Sequence, residues 1–298
     1  MPANALLATT LDREPITTST GSAVVPLRSC SLFGFDFLNT DDLDAIAERI
    51  LGPQPLDGLL PLVVTPNVDY IVHLNDASQS EFARALQQAR YVLPDGQPIV
   101  WTSRFAGDPL AARLPGSTLF PVVWRGVVAQ RRRALVVAAS HETADLMRRE
   151  HPDAGFVVPP MFDADDPDQL AVVVEACRAS MREVQPEFVF VGISFPKQQK
   201  IALALIDACE RAGETPPLFL LLGASHEMYL GLVKRAPSWM QSFGLEWFYR
   251  FVKEPKRLFR RYFINDTRFV WLLVRELARL RRAAPEQPAI ASAHRGAA

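Results

Sequence analysis

Cysteine is scarce in this chain. Cys30, Cys177 and Cys209 are the only three, an odd number without a C-x-x-C pair. That speaks against a disulfide framework or a thiolate metal site and fits reduced, partly buried thiols in a cytosolic protein. The five histidines show no H-x-x-x-H or other ligand spacing, so no histidine metal centre is expected. No G-x-G-x-x-G occurs, which removes the dinucleotide fingerprint. No run of about 18 uncharged apolar residues is present, so no spanning helix is expected. The N-terminus has no basic region followed by an apolar run, so no signal peptide is expected. Internal repeats and coiled-coil heptads are also missing. The one acidic run with metal-like spacing, Asp163-Ala-Asp-Asp166, follows the wrong kind of segment, so no metal and no cofactor are expected.

What is present is a chain of 298 residues, 49% hydrophobic, ample for a sizeable core. The 24 prolines exceed the usual share of about 5%, and many stand in loops between apolar runs. Residues 1–28 are rich in Thr, Ala and Ser and read as a flexible N-terminal extension. Residues 29–233 read as an α/β core, 234–284 as a basic amphipathic appendage and 285–298 as a disordered tail. Charge is uneven. The chain carries a formal −1, yet residues 250–282 hold eleven Lys/Arg against three Asp/Glu. Such a tail is drawn to something anionic.

The apolar pattern alternates between strands and helices. SLFGFDFLN (31–39) reads as a strand or strand pair, and Asp41 is placed to cap a helix through Leu51. LPLVV (60–64) is a buried-type strand, followed by helices from Val68 to Leu74 and Ser80 to Ala89. YVLP (91–94) is a strand, and a helix begins at Gln97. TLFPVVWRGVVAQ (118–130) is a helix or an irregular connection. ALVVAA (134–139), GFVVP (155–159), EFVFVGI (187–193) and LFLLLG (218–223) are further strands. Helices are expected over 141–150, 170–184 and 198–212. Nearly all-apolar strands alternating with helices predict a parallel, Rossmann-like α/β sheet covered on both faces.

In such sheets ligands bind outside the carboxyl ends of the strands. Four polar loops fall there: Thr65-Pro66-Asn67, Pro94-Asp95-Gly96, Gly192 to Gln198, and Gly223-Ala-Ser-His. Asp95 is a carboxylate held at a strand end by a tight turn, a suitable general base. A plain Pro-Asp-Gly turn is the simpler alternative. Thr65 and Asn67 offer a hydroxyl and an amide to a ligand, although Asn67 is equally suited to cap the helix at Val68. The loop of Gly192, Ser194, Pro196, Lys197 and Gln198 leads into a helix N-terminus, whose N–H groups suit a diphosphate. Read on its own it is also an ordinary strand-to-helix loop.

The segment Lys234–Tyr262 contains KRAP, GLEW, YR and EP-x-R-L-x-R-R-Y. With TPN at 65–67, PDG at 94–96 and VGISFPKQQ at 191–199, it resembles the WecG/TagA/CpsF glycosyltransferases, over roughly two thirds of the chain. The resemblance implies an inverting, metal-independent transferase. Asp95 matches the family's proposed catalytic base, and Arg113 an arginine that neutralises the leaving diphosphate, with Arg104 a weaker candidate. Thr65, Asn67 and Gly96 would orient the sugar, and Gly192, Pro196, Lys197, Gln198 and Gly223 would seat the nucleotide. Arg250, Arg257, Arg260 and Arg261 would meet the substrate diphosphates. Three positions depart from the usual pattern. Ala138-Ala139-Ser140 replaces a glycine-rich turn, Gln199 a glutamate, and His226 an aromatic.

The function implied is transfer of an N-acetylhexosamine-type sugar from a UDP-sugar to a polyprenyl-diphosphate-linked saccharide, in cell-surface polysaccharide synthesis. The setting implied is cytoplasmic, on the inner face of the cell membrane, with the basic appendage on an anionic lipid surface. Nucleic acid is not expected, because the tail aromatics cluster with leucine and do not form a base-stacking platform. A homo-oligomer covering an apolar rim under the tail stays open as a further partner. Two other readings stand beside the main one: transfer to a soluble acceptor, and a non-catalytic member that binds nucleotide-sugar or lipid.

Overall fold

Strand segments of four or five apolar residues, too short for helices and bounded by turns, form the centre of the molecule. The computed structural model describes residues 28–55, 57–75, 80–234, 236–237, 240, 246–253 and 267–283. Most of the expected N-terminal extension, the expected tail from 285 and much of the basic segment lie outside the described residues.

A hairpin opens the chain: β1 (Arg28–Leu32) pairs antiparallel with β2 (Phe35–Asn39). Helix α1 (Leu43–Leu51) follows, capped by Asp42, whose side chain accepts from Ala45 N–H at 2.9 Å. The cap is therefore Asp42 and not Asp41, since Asp42 directly precedes the first helical residue. Next come β3 (Leu60–Val64), α2 (Val68–Leu74), α3 (Ser80–Gln87), β4 (Ala89–Val92) and α4 (Gln97–Ser103). Strand β4 starts and stops two residues earlier than its apolar pattern indicates. Pro94 has no N–H to add to a ladder.

The segment around Phe120 is one helix, α5 (Gly116–Ala129), with Pro121 inside it. Burial of Leu119, Phe120, Val123, Trp124 and Val127 on one face outweighs the proline. Then follow β5 (Ala134–Val137), α6 (His141–Glu150), β6 (Gly155–Val157), α7 (Pro167–Val184), β7 (Phe188–Val191), α8 (Lys197–Arg211), β8 (Leu218–Leu221) and α9 (Ser225–Tyr229). Helix α7 starts three residues early. Asp166 caps it by accepting from Asp168 and Gln169 N–H, and Pro167 suits the first helical position. In the basic segment are α10 (Glu246–Lys253) and α11 (Thr267–Ala283).

Six strands form an all-parallel sheet in the order β4-β3-β8-β7-β5-β6. Alternate residues feed two cores, as a period of two demands. Val189 and Val191 point to one core with α2, α3, α7, α8, the hairpin and α11. Phe188 and Phe190 point to the other, with α1, α5 and α6. The architecture is the expected α/β sheet with helices on both faces. Because all six strands run the same way, every strand exit lies on one rim.

The basic segment is joined to the core. Helix α11 buries Phe269, Leu272, Glu276 and Leu280. It seats on the hairpin turn, where Phe33 adopts a left-handed φ of 53°, a cost the surroundings must cover. Phe33 N–H donates to Glu276 Oε1 at 3.0 Å, and its ring packs 5.4 Å from that of Phe269. Arg279 pairs with Glu276 and donates to the Ser31 carbonyl at 2.8 Å.

Candidate active site

The exits of β3 and β4 are zipped together beyond the strands. Leu93 N–H donates to the Val64 carbonyl at 2.9 Å, and Asp95 N–H to the Pro66 carbonyl at 3.1 Å. The Pro94-Asp95-Gly96 turn thus lies along the Thr65-Pro66-Asn67 loop. A Cβ on Gly96 would stand 3.7 Å from Asn67 Cα. Asn67 does cap α2, its Oδ1 accepting from Tyr70 N–H at 3.1 Å. That bond uses its carbonyl oxygen and leaves its amide donors outside the cap. Asp95 and Thr65 are half-buried at this rim.

Arg113 arrives from a different segment. Leu114 N–H donates to the Pro94 carbonyl at 2.7 Å. Asn39, at the end of β2, clamps the approach: its Nδ2 donates to Pro109 O at 3.0 Å, and its Oδ1 accepts from Ala111 N–H at 2.7 Å. Gly116 then carries the chain to the β8 exit, where an added Cβ would lie 3.1 Å from Ser225 Oγ. Residues 113–116 therefore bridge the Asp95 turn to the Gly223 loop. Asn39 carries no signal in the sequence, since its partners are about seventy positions away.

The loop after β7 makes the second half of the site. Gly192 N–H donates to Val137 O at 2.8 Å. Gln198 is buried, and its Oε1 accepts from Gly223 N–H at 3.0 Å, holding the β7 and β8 exits together. Gly223 itself has φ 56°, a conformation that favours glycine. The Phe195 ring sits 4.7 Å from that of Tyr70 and 5.0 Å from that of His73, tying this loop to α2. At the start of α8, two of the N–H groups expected to face a ligand make local bonds. Gln198 N–H turns to the Ser194 carbonyl, and Gln199 and Lys200 N–H turn to that of Pro196. The Lys197 ammonium contacts the Phe162 carbonyl and lies 4.5 Å from the Phe162 ring centroid.

Those lysine contacts reveal a feature missed in the sequence. The chain leaving β6 must pass the end of β5 to reach α8, because the strand order is β7-β5-β6. Lys197 takes Phe162, while Lys200 takes the Ala164 carbonyl at 3.3 Å and the Asp165 carboxylate. Hydrogen bonding to Lys200 lowers the Asp165 pKa. The β5 connection leads outward to β6, and the β7 connection leads back to β8. The crevice between them is a topological switch point, where such sheets take ligands. Ala138-Ala139-Ser140 follows β5 on one side of it, with Ser140 capping α6.

Two of the unusual residues sit beneath this rim. His226 is fully buried between Phe120, at 4.3 Å, and Phe190, at 6.3 Å. Burial pushes its pKa down to about 4, although a hydrogen bond to Gly223 O opposes this. The neutral ring donates from Nδ1 to that carbonyl at 3.3 Å, and Nε2 has no partner. It occupies an aromatic cage as a phenyl ring would. A Cβ on Gly192 would come 2.4 Å from His226 Nδ1, so the strand exit is built around the ring. Gln199 is also buried, near the Tyr70 hydroxyl. Neither Tyr70 Oη nor Gln199 Oε1 has a partner in good hydrogen-bond geometry. Burial raises the Tyr70 pKa, and the nearby carboxamide partly offsets this. A glutamine here keeps the pocket neutral, where a carboxylate would carry a buried charge.

Arg250 belongs to α10, and Arg257, Arg260 and Arg261 lie outside the described residues.

Comparison with known proteins covers the part of the chain that builds this rim. The model of the Glycosyl transferase WecG/TagA/CpsF family matches residues 30–283. The chain is similar to an N-acetylglucosaminyldiphosphoundecaprenol N-acetyl-beta-D-mannosaminyltransferase of Staphylococcus aureus (strain MW2), 23% identical over 77% of this chain and 86% of that protein. It is also similar to the protein of that name from Bacillus spizizenii, 28% identical over 65% of this chain and 72% of the relative.

Proposed function

The chain belongs to the WecG/TagA/CpsF glycosyltransferase family, and on that premise we propose that it moves an N-acetylhexosamine-type sugar from a UDP-sugar to a polyprenyl-diphosphate-linked saccharide, with inversion. The observation that carries this reading is the gathering of Asp95, Arg113, Thr65 and Asn67 by the backbone bonds of Asp95 to Pro66 and Leu114 to Pro94. The relatives' names describe an acceptor of this lipid-linked kind.

Asp95 takes the proton from the acceptor hydroxyl as its oxygen attacks the anomeric carbon. The bond from that carbon to the nucleotide's phosphate oxygen breaks on the opposite face. Arg113 stabilises the charge gathering on the departing diphosphate. Thr65 and the Asn67 amide orient the sugar. The loop Gly192 to Gln198 and Gly223 form the nucleotide seat at the switch point. Gln198 shapes that seat by holding Gly223, and Lys197 reaches a diphosphate only by leaving Phe162. The reaction as drawn uses no metal.

The lipid-linked acceptor requires the enzyme to work at a membrane. No described helix is long and apolar enough to cross one. Helix α11 instead exposes Val270, Trp271 and Val274, each more than 60% accessible. Arg268, Arg275, Arg281 and Arg282 stand on the same helix. This is the composition of a surface-seated helix. The arginines at 250, 257, 260 and 261 complete the basic segment and are assigned to the acceptor diphosphate.

A panel of UDP-sugars examined by ligand-observed NMR, followed by UDP release with a polyprenyl-diphosphate N-acetylglucosamine and EDTA, tests the proposal. One UDP-sugar binds, and release needs the lipid-linked acceptor and survives EDTA. Release that stops in EDTA and returns with magnesium or manganese contradicts the metal-free step. Binding without release under any acceptor favours the non-catalytic reading.

A further inference from the structure

We propose that the outer face of α4 and the turn that follows it, formed by Trp101, Arg104 and Phe105, is a second lipid contact that seats the rim beside Asp95 in the interfacial layer of a phospholipid bilayer. The inference rests on the reading of a membrane-linked acceptor and adds a surface separate from α11.

Helix α4 is two-faced. Ile99, Val100, Thr102 and Ser103 are buried, while Trp101 is 47% and Phe105 62% exposed. The two rings lie one helical turn apart and make a small exposed apolar patch. The element that carries them is firmly held. Thr102 Oγ1 donates to Pro98 O at 2.7 Å, and Ser103 Oγ to Val100 O at 2.7 Å. Ser103 Oγ also accepts from Leu110 N–H at 2.9 Å. Phe105 and Ala106 N–H donate back to the Thr102 and Ser103 carbonyls, continuing the turn. The exposed rings are therefore presented by a fixed scaffold.

Three observations favour lipid as the occupant. Tryptophan with a neighbouring arginine is the pairing that suits the headgroup boundary, the ring lying at its apolar side and the guanidinium among phosphates. The face is one side of a helix with Arg104 as its only polar side chain among the three, which gives a sugar or nucleotide few groups to bond. The patch also continues directly from the site: α4 starts from Gly96, the residue after Asp95. A transferase whose acceptor is anchored in a bilayer must bring that carboxylate to the lipid surface. Helix α4 packs near β1 and α11 seats on the β1–β2 turn, so the two lipid-facing elements flank one hairpin.

The test uses the full chain with phosphatidylcholine and phosphatidylglycerol vesicles containing brominated lipid, and compares tryptophan quenching in wild type and Trp101→Phe. The chain has five tryptophans. Trp101→Phe is expected to remove a quenched component, with Trp271→Phe removing a different one. Trp101→Ala/Phe105→Ala is expected to lower the vesicle-bound fraction severalfold while circular dichroism and Tm hold. Quenching that is the same in wild type and Trp101→Phe overturns the proposal. So does a lipid-free dimer that the double variant dissociates, with no quenching at Trp101, which would assign the face to a second copy of the chain. No sugar transfer is measured here, so failure of the transferase reading and failure of this contact are seen separately.

Discussion

Leu114 donates its backbone N–H to the Pro94 carbonyl at 2.7 Å, and that bond brings Arg113 to the turn that holds Asp95. A carboxylate at a strand exit and a guanidinium-bearing residue from a distant loop share one turn because two backbone groups pair.

Asn39 tests that geometry from outside the chemistry. Its two bonds to Pro109 and Ala111 hold the Arg113 approach. Each such bond contributes about 0.5–1.5 kcal/mol, so Asn39→Ala is expected to lower Tm modestly. A small misplacement in a catalytic loop costs up to about a hundredfold in rate. Steady-state kinetics should show kcat falling more than donor KM rises. An unchanged kcat would mean the clamp does not position Arg113.

The Gly192–His226 contact is expected to be intolerant of one methyl group. Gly192→Ala places a Cβ 2.4 Å from His226 Nδ1, an overpacking that costs about 1–3 kcal/mol. Removing the ring in a His226→Ala background should relieve the clash. A double-mutant cycle in denaturant melts therefore shows coupling, whereas strictly additive losses would place the strain elsewhere.

Acid stability should report the same histidine. Its folded pKa of about 4 lies below the reference 6.5. The unfolded chain takes up the proton first, so this contribution is fully present above pH 6.5 and is lost as pH falls towards 4. The full difference is about 3 kcal/mol. His226→Phe fills the same cage without a titrating group, and its stability should vary less across that window. Parallel stability curves for the two proteins would remove His226 as the cause.

Glu276→Ala should loosen the C-terminal helix. The Phe33 N–H loses its acceptor and Arg279 its carboxylate, keeping the Ser31 carbonyl. Leaving a buried donor unpaired costs about 1–3 kcal/mol. Hydrogen exchange is expected to rise over residues 269–280, with the sheet strands unaffected. Equal protection in both proteins would show that apolar burial alone holds α11.

Much of the fold was legible because buried parallel strands announce themselves. FVFV at 188–191 and LFLL at 218–221 are apolar on both faces, and both are central strands. The rim followed from the strands: a polar motif after each parallel strand must share one edge with the others. Strand order was not legible, and with it the switch point and the passage of the β6 exit over β5. Contacts such as Phe33 to Glu276 arise from tertiary packing across 243 positions and leave no local pattern. At the start of α8, composition pointed to ligand-binding groups. Folding spends the Gln198 side chain on Gly223 and the Gln198 and Gln199 N–H groups on nearby carbonyls.

Transfer by wild type and Asp95→Asn, with the UDP-sugar that binds and a polyprenyl-diphosphate N-acetylglucosamine, is the most direct test. The asparagine keeps the side-chain size and the backbone bond to Pro66, and removes the base. Wild type should give the extended lipid-linked product by mass spectrometry. Asp95→Asn should bind the donor equally and turn over about 10²- to 10⁴-fold more slowly. Equal rates from the two proteins would contradict Asp95 as the base, and the site built around it.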